Sequence, residues 1–121
     1  MRFMALLRSD PAGPGGPPPQ ALMDAMGDFV QDGFASGVLV DTGGLRAQGA
    51  RVRLSGGKVR VTDGPYAEAK EIVGGYAVLE CPSQEEAVAV AVRLMELHHR
   101  HWPEWEGESE VRPLDQVPAP A

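Results

Sequence analysis

The chain has 121 residues, which is enough for one domain with a core of its own and little more. Apolar residues make up 43% and charged residues 23%, the balance of an ordinary water-soluble globular domain. The net charge of −6 and the sequence pI near 4.9 argue against non-specific binding to nucleic acid or to an anionic membrane.

The first elements are a strand, a loop and a helix. Residues 2–8 predict a strand that is apolar on both faces, with Phe3, Ala5 and Leu7 on one face and Met4 and Leu6 on the other. Residues 9–19 are rich in proline and glycine and predict a loop. A helical period begins at Gln20, and Gly33 or Gly37 suits its end. Its apolar stripe is predicted to consist of Leu22, Met26, Phe29 and Val30, extended by Met23 and Phe34.

Residues 51–62 predict a β-hairpin that turns at Gly56-Gly57, since a two-residue turn of this kind needs positive φ angles. The predicted register pairs Leu54 with Val59 and Val52 with Val61 on one face. On the other face it sets Arg53 opposite Arg60, which is either a solvated surface or one that faces an anion.

The last elements are a strand, a helix and a strand. Residues 72–80 predict a second strand that is apolar on both faces, and Gly74-Gly75 indicates a bulge or a close backbone approach. Ser83 to Glu86 forms a capping box that begins a helix. Residues 106–112 predict the final strand, with Val111 pointing inward. We therefore predict a domain over residues 1–113 and a tail over residues 114–121.

The single cysteine, Cys81, excludes an internal disulfide framework and is typical of a reducing compartment. No histidine or lysine is its sequence neighbour to lower the pKa of the thiol, so we interpret Cys81 as a buried filler. The apolar patch 3–7 is too short for a signal-peptide core or a membrane span. We expect a cytoplasmic protein with no membrane or nucleic-acid partner.

The order of elements predicts a ferredoxin-like α+β sandwich, in which two helices cover one face of an antiparallel sheet. Two helices leave the second face of the sheet open, although two of its strands are apolar on both faces. A homodimer with the sheets packed face to face would bury that surface, whereas a monomer would expose it.

Residues 61–71, with the sequence VTDGPYAEAKE, and the following Gly74-Gly75-Tyr76 resemble the signature of the YCII-related proteins, specifically the DGPF-domain branch. Tyr66 stands where that branch usually has Phe. The resemblance extends from the first strand to Pro113 and implies a dimeric α+β barrel. A His–Asp pair in a cleft has been proposed as catalytic in YCII-like proteins, but this chain has no histidine in its first helix or early strands to match it.

Two groups of residues are candidates for a site. Asp63-Gly64-Pro65 is a turn signal, and the charged residues that follow it lead into an apolar strand, where structural ion pairing and a ligand cluster both remain open. His98 and His101 lie at the predicted end of the second helix. The helix dipole stabilises cationic side chains there, and a role in a site or in binding a metal remains open as an alternative. We predict catalytic roles for Asp63, Glu68, Glu71 and His98, ligand contacts for Tyr66, Lys70, Tyr76, His101 and Trp102, and no metal or cofactor.

Two functions follow as hypotheses. In the first, acid and base residues in a cleft at the dimer make the protein a cofactor-independent lyase or isomerase for an unknown small molecule. In the second, the homodimer binds a metabolite without catalysis or acts as a regulator. The resemblance to DGPF-type proteins implies, for this second case, a link to alternative sigma-factor signalling.

Overall fold

The computed structural model describes residues 1–46, 48–63 and 72–117, with the backbone alone at Ile72 and Val73. Its elements are β1 (Arg2–Ser9), α1 (Gln20–Ser36), β2 (Leu39–Gly44), β3 (Ala50–Ser55), β4 (Lys58–Asp63), β5 (Ile72–Glu80), α2 (Gln84–His101) and β6 (Gly107–Pro113).

Four strands form an antiparallel sheet in the order β2-β5-β1-β6, and β1 and β5 occupy its centre. These are the two strands whose sequences are apolar on both faces, as is typical of strands at the centre of a sheet. The strand order and the two helices confirm the predicted ferredoxin-like α+β fold.

Both helices lie on the same face of this sheet, over one hydrophobic core. Phe3 from β1 and Ala87 from α2 are completely buried there, and Val30 of α1 and Val111 of β6 pack against the cluster. Cys81 is also part of this core, and burial raises the pKa of its thiol, which confirms its interpretation as a buried filler.

The α1 stripe was predicted too wide. Leu22 is buried, but Met23 and Phe34 are 51% and 48% exposed, so the prediction that they extend the core stripe is wrong. At 3.6 residues per turn they point about 90° away from the centre of the face that contacts the sheet. The helix ends at Gly37, whose φ of 81° gives the left-handed cap that glycine adopts without strain.

The residues Ala50–Asp63 form a separate two-stranded sheet, which we call the arm. Its register pairs Leu54 with Val59 and Arg53 with Arg60, as predicted. Gly56 and Gly57 have φ angles of 58° and 74°, which a two-residue hairpin turn of this kind requires. Among the described residues, neither strand of the arm pairs with the four-stranded sheet.

The predicted irregularity at Gly74-Gly75 is a β-bulge. Leu7 pairs with Gly75 and Arg8 pairs with Val73, so Gly74 is the extra residue of β5. Further along the chain, α2 begins as the capping box predicts, because the Glu86 N–H donates to the Ser83 hydroxyl at 3.2 Å. The predicted boundary between domain and tail after Pro113 remains a prediction. Among the described residues, neither helix has the length and apolar character needed to cross a membrane.

Candidate functional site

A groove of about 590 Å³ opens between α1 and α2 above the sheet. Beside Leu39 and Leu79, its floor includes small side chains from all four strands of the sheet: Ala5, Thr42, Ala77 and Ser109. Its walls are larger apolar side chains from the two helices: Met26, Phe29, Leu94 and Leu97.

The sheet register explains the depth of the groove. Ala77 pairs with Ala5 on one side and with Thr42 on the other, which sets three small side chains in one row across the sheet. Two residues away, Leu79 pairs with Phe3 and the core is filled. The groove therefore opens where these small side chains lie below the helices.

The groove is mostly apolar inside. The Thr42 hydroxyl donates to the Tyr76 carbonyl at 2.8 Å, whereas the Ser109 Oγ is buried and has no hydrogen-bond partner among the described residues. A buried polar atom without a partner is unfavourable unless a ligand or water satisfies it. The rim carries two acidic and two basic side chains: Asp32, Glu96, Arg93 and Arg100. This arrangement suits a largely apolar molecule.

The predicted site residues are distributed differently. Four of the nine, Tyr66, Glu68, Lys70 and Glu71, lie outside the described residues. The other five are Asp63, Tyr76, His98, His101 and Trp102, and none of these five lines the groove. Asp63 is exposed at the end of β4, in the arm.

His98 is buried where α2 ends. Its Nδ1 lies 2.8 Å from the Leu94 carbonyl oxygen, which assigns the proton to Nδ1, and its ring centroid is 4.6 Å from that of Trp105. Burial lowers the pKa of His98 below its ordinary value, so the imidazole is neutral at pH 7. Its contacts are those of a residue that packs the helix end.

His101 and Trp102 also lie at this end. His101 is the last residue of α2 and is half-buried, and the Trp102 backbone N–H caps the helix by donating to the His98 carbonyl at 2.7 Å. In the part of the chain that the structure describes, no three His, Cys, Asp or Glu side chains are grouped so that they could hold a metal ion.

Tyr76 lies on the outer face of the sheet, which we define as the face away from the helices. Its hydroxyl donates to Asp41 Oδ2 at 3.0 Å, and this hydrogen bond to a carboxylate raises the pKa of Tyr76. A Cβ at the neighbouring Gly43 would come within 3.0 Å of the Tyr76 ring, so glycine gives the ring room to lie across β2. Asp41 could not be identified from the sequence, because its partner lies 35 residues away and leaves no local pattern.

The centre of the outer face is an apolar strip of half-buried side chains: Met4, Leu6 and Val78. One flank carries the Tyr76–Asp41 pair. The other carries Glu110, which accepts from Arg8 at 2.5 Å and from Arg112, and these bonds lower the pKa of the Glu110 carboxyl. Both helices pack on the opposite face, so an apolar strip with polar flanks remains uncovered by either of them.

The comparison with protein-family models decides the family. The model of the YCII-related domain matches residues 1–97. The chain belongs to the YCII-related family. A search of curated proteins found no match. The YCII-related match runs from β1 through most of α2, so Ser109 and three of the predicted site residues, His98, His101 and Trp102, lie beyond it.

The burial of His98 predicts a pH-dependent stability. Because its pKa in the folded state lies below the ordinary value of 6.5, the unfolded chain binds the proton more readily, and stability falls as the pH drops below 6.5. The loss attributable to this residue is at most about 1.4 kcal/mol per pH unit. Urea unfolding of His98→Phe between pH 7.5 and 5 should show a flatter dependence than the wild type.

The exposed His99 provides the control, because His99→Gln should keep the wild-type pH dependence. Glu80 and Glu110 contribute little in this range, because their pKa values are lowered in the folded state and the stability they add is lost only below about pH 4.5. Equal slopes for His98→Phe and the wild type would show that His98 is not buried in the neutral form.

Proposed function

We propose that this YCII-related protein is a homodimer that binds a small, largely apolar molecule in the groove between α1 and α2. The observation that supports this most is the row of small side chains beneath the helices, which leaves about 590 Å³ beside a core that is otherwise filled.

A cofactor-independent lyase or isomerase is the second candidate, with Asp63, Glu68, Glu71 and His98 as its acid and base residues. Binding takes precedence because the two of these that the structure describes do not line the groove, and His98 contacts Trp105 and the Leu94 carbonyl. A regulatory role linked to an alternative sigma factor, and membership of the DGPF branch, rest on the resemblance of the segment around Asp63.

The homodimer would bury the outer face of each sheet against the other. Its apolar strip would form the centre of the interface and its charged flanks the rim. With a two-fold axis parallel to the strands, the β2 flank of one copy lies over the β6 flank of the other. This brings Asp41 of one copy towards Arg112 of the other, so the face is complementary to itself in charge.

Ligand binding can be tested with a library of small fluorinated aromatic and aliphatic fragments, observed by ¹⁹F NMR. Ala77→Leu adds volume to the floor, and we expect it to weaken binding at least about tenfold. Ser109→Ala should have a free energy of unfolding equal to the wild-type value or up to about 1 kcal/mol above it, because it removes an unsatisfied buried hydroxyl.

Ala35→Leu makes the same change as Ala77→Leu on an exposed position of α1 and should leave binding unaltered. If no fragment distinguishes Ala77→Leu from Ala35→Leu, the groove is not the binding site. If proton transfer is the function, Asp63→Asn and His98→Phe should abolish turnover of a bound fragment while binding persists.

A further inference from the structure

The arm, Ala50–Asp63, has one apolar and one basic face. The apolar face carries four aliphatic side chains that are each 65–72% exposed: Val52, Leu54, Val59 and Val61. The register joins them as two directly opposed pairs, so they form a single patch and are not scattered. The opposite face carries four basic side chains: Arg51, Arg53, Lys58 and Arg60.

Among the described residues, this hairpin has neither a third strand nor a packed face. A two-stranded sheet in water is marginally stable by itself and generally needs a third strand or a packed face. In the described part of the chain, the strands of the arm contact each other extensively and make no comparable contact with the helices or with the four-stranded sheet. An exposed patch of opposed aliphatic pairs is the mark of a surface that packs on another molecule.

The charge distribution indicates what that molecule is. The arm has four basic residues and one acidic residue, a net charge of +3 in a chain whose total is −6. The other 107 residues therefore carry −9. Three exposed aspartates, Asp24, Asp28 and Asp32, recur every four residues along α1 and contribute to this acidic surface. A second copy of the chain thus presents the acidic body that a basic arm attracts.

We infer that the arm of each copy packs its apolar face on the other copy, against the residues outside that copy's own arm. The exchange is reciprocal, because each copy supplies one arm and receives one, and such an arrangement closes as a two-fold dimer. This inference rests on the homodimer proposed above and adds the arm to its interface. The basic face then points away from this contact, so its charges are attracted to the acidic copy only at longer range.

The direct test uses mixed dimers of one copy with ¹³C-labelled Val and Leu methyl groups and one unlabelled copy. An isotope-filtered NOE experiment should show contacts between the methyl groups of Leu54 and Val59 and protons of the unlabelled copy. Contacts with the same copy alone would overturn the inference and place the arm on its own body. The absence of any contact beyond the hairpin would overturn it as well, since the patch would then be solvated.

A second test keeps the hairpin folded while making its apolar face polar. The triple substitution Val52→Thr, Val59→Thr, Val61→Thr preserves branched side chains that suit a strand. By sedimentation, the Kd of the dimer should rise at least about 100-fold. The matched control, Arg53→Thr with Arg60→Thr, changes the other face and should raise Kd less than about tenfold, with an effect that shrinks at high salt.

The outcomes distinguish the contact made by the arm from the contact between the two sheets. An unchanged Kd in the triple variant would overturn the arm contact and leave a dimer held by the sheets alone. A wild-type protein that sediments as a monomer would overturn both the homodimer and the arm contact. Fragment binding in the groove between α1 and α2 is measured independently of either result.

Discussion

Gly107→Ala is expected to destabilise the fold by about 3 kcal/mol or more. A Cβ at this position would lie 2.5 and 2.6 Å from two ring carbons of Trp105 and closer still to the Arg8 carbonyl oxygen. Real Cβ atoms do not approach other atoms so closely, and the backbone of β1 cannot move aside without disturbing its pairing with β6. Urea unfolding measures the loss.

The same substitution should displace Trp105. This ring donates its Nε1–H to the Ser9 hydroxyl at 3.1 Å and packs against His98, so its movement would expose the end of α2. We expect a red-shifted tryptophan emission and a weaker dependence of stability on pH between 5 and 7.5.

Gly27→Ala is the control, because Gly27 is an exposed position of α1 where an added Cβ meets nothing within 4 Å. It should stabilise the protein by about 0.5–1 kcal/mol, since alanine loses less backbone entropy in a helix. A Gly107→Ala protein within about 1 kcal/mol of the wild type would contradict the packing of Trp105 on β6.

The predictions that succeeded depend on patterns contained in neighbouring residues. β1 and β5 carry apolar residues at successive positions, which is enough to place them in the centre of the sheet. The turn glycines Gly56 and Gly57 set the hairpin register, and the Ser83 capping box marks the start of α2. Each of these signals is local, and the strand order follows once the elements are known.

The groove could not be predicted in the same way. Its floor needs Ala5, Thr42, Ala77 and Ser109 in adjacent places, and small residues from four strands carry no signal until the register is known. His98 was interpreted as a possible acid or base because a histidine near a helix end has several uses. Its burial depends on the Trp105 ring, which packs over the end of α2 because Gly107 has no side chain to occupy that space.

Leu6→Lys is expected to abolish the proposed homodimer, raising its Kd at least about 1,000-fold. Leu6 lies in the apolar strip of the outer face, where the partner sheet would remove the new charge from water. Within one copy the substitution is mild, because position 6 pairs with Glu110 across the β1–β6 ladder and a lysine suits that neighbour. Sedimentation velocity across micromolar concentrations should therefore show a folded monomer.

Val92→Lys is the control for Leu6→Lys, because it introduces the same charge away from the proposed interface. Val92 is 47% exposed on α2, on the other side of the sheet from the proposed interface, so this variant should remain a dimer. If both lysine variants dimerise like the wild type, the outer face is not the interface. In that case Met4, Leu6 and Val78 would be in contact with solvent, and an apolar strip at the centre of the sheet would have no partner to explain it.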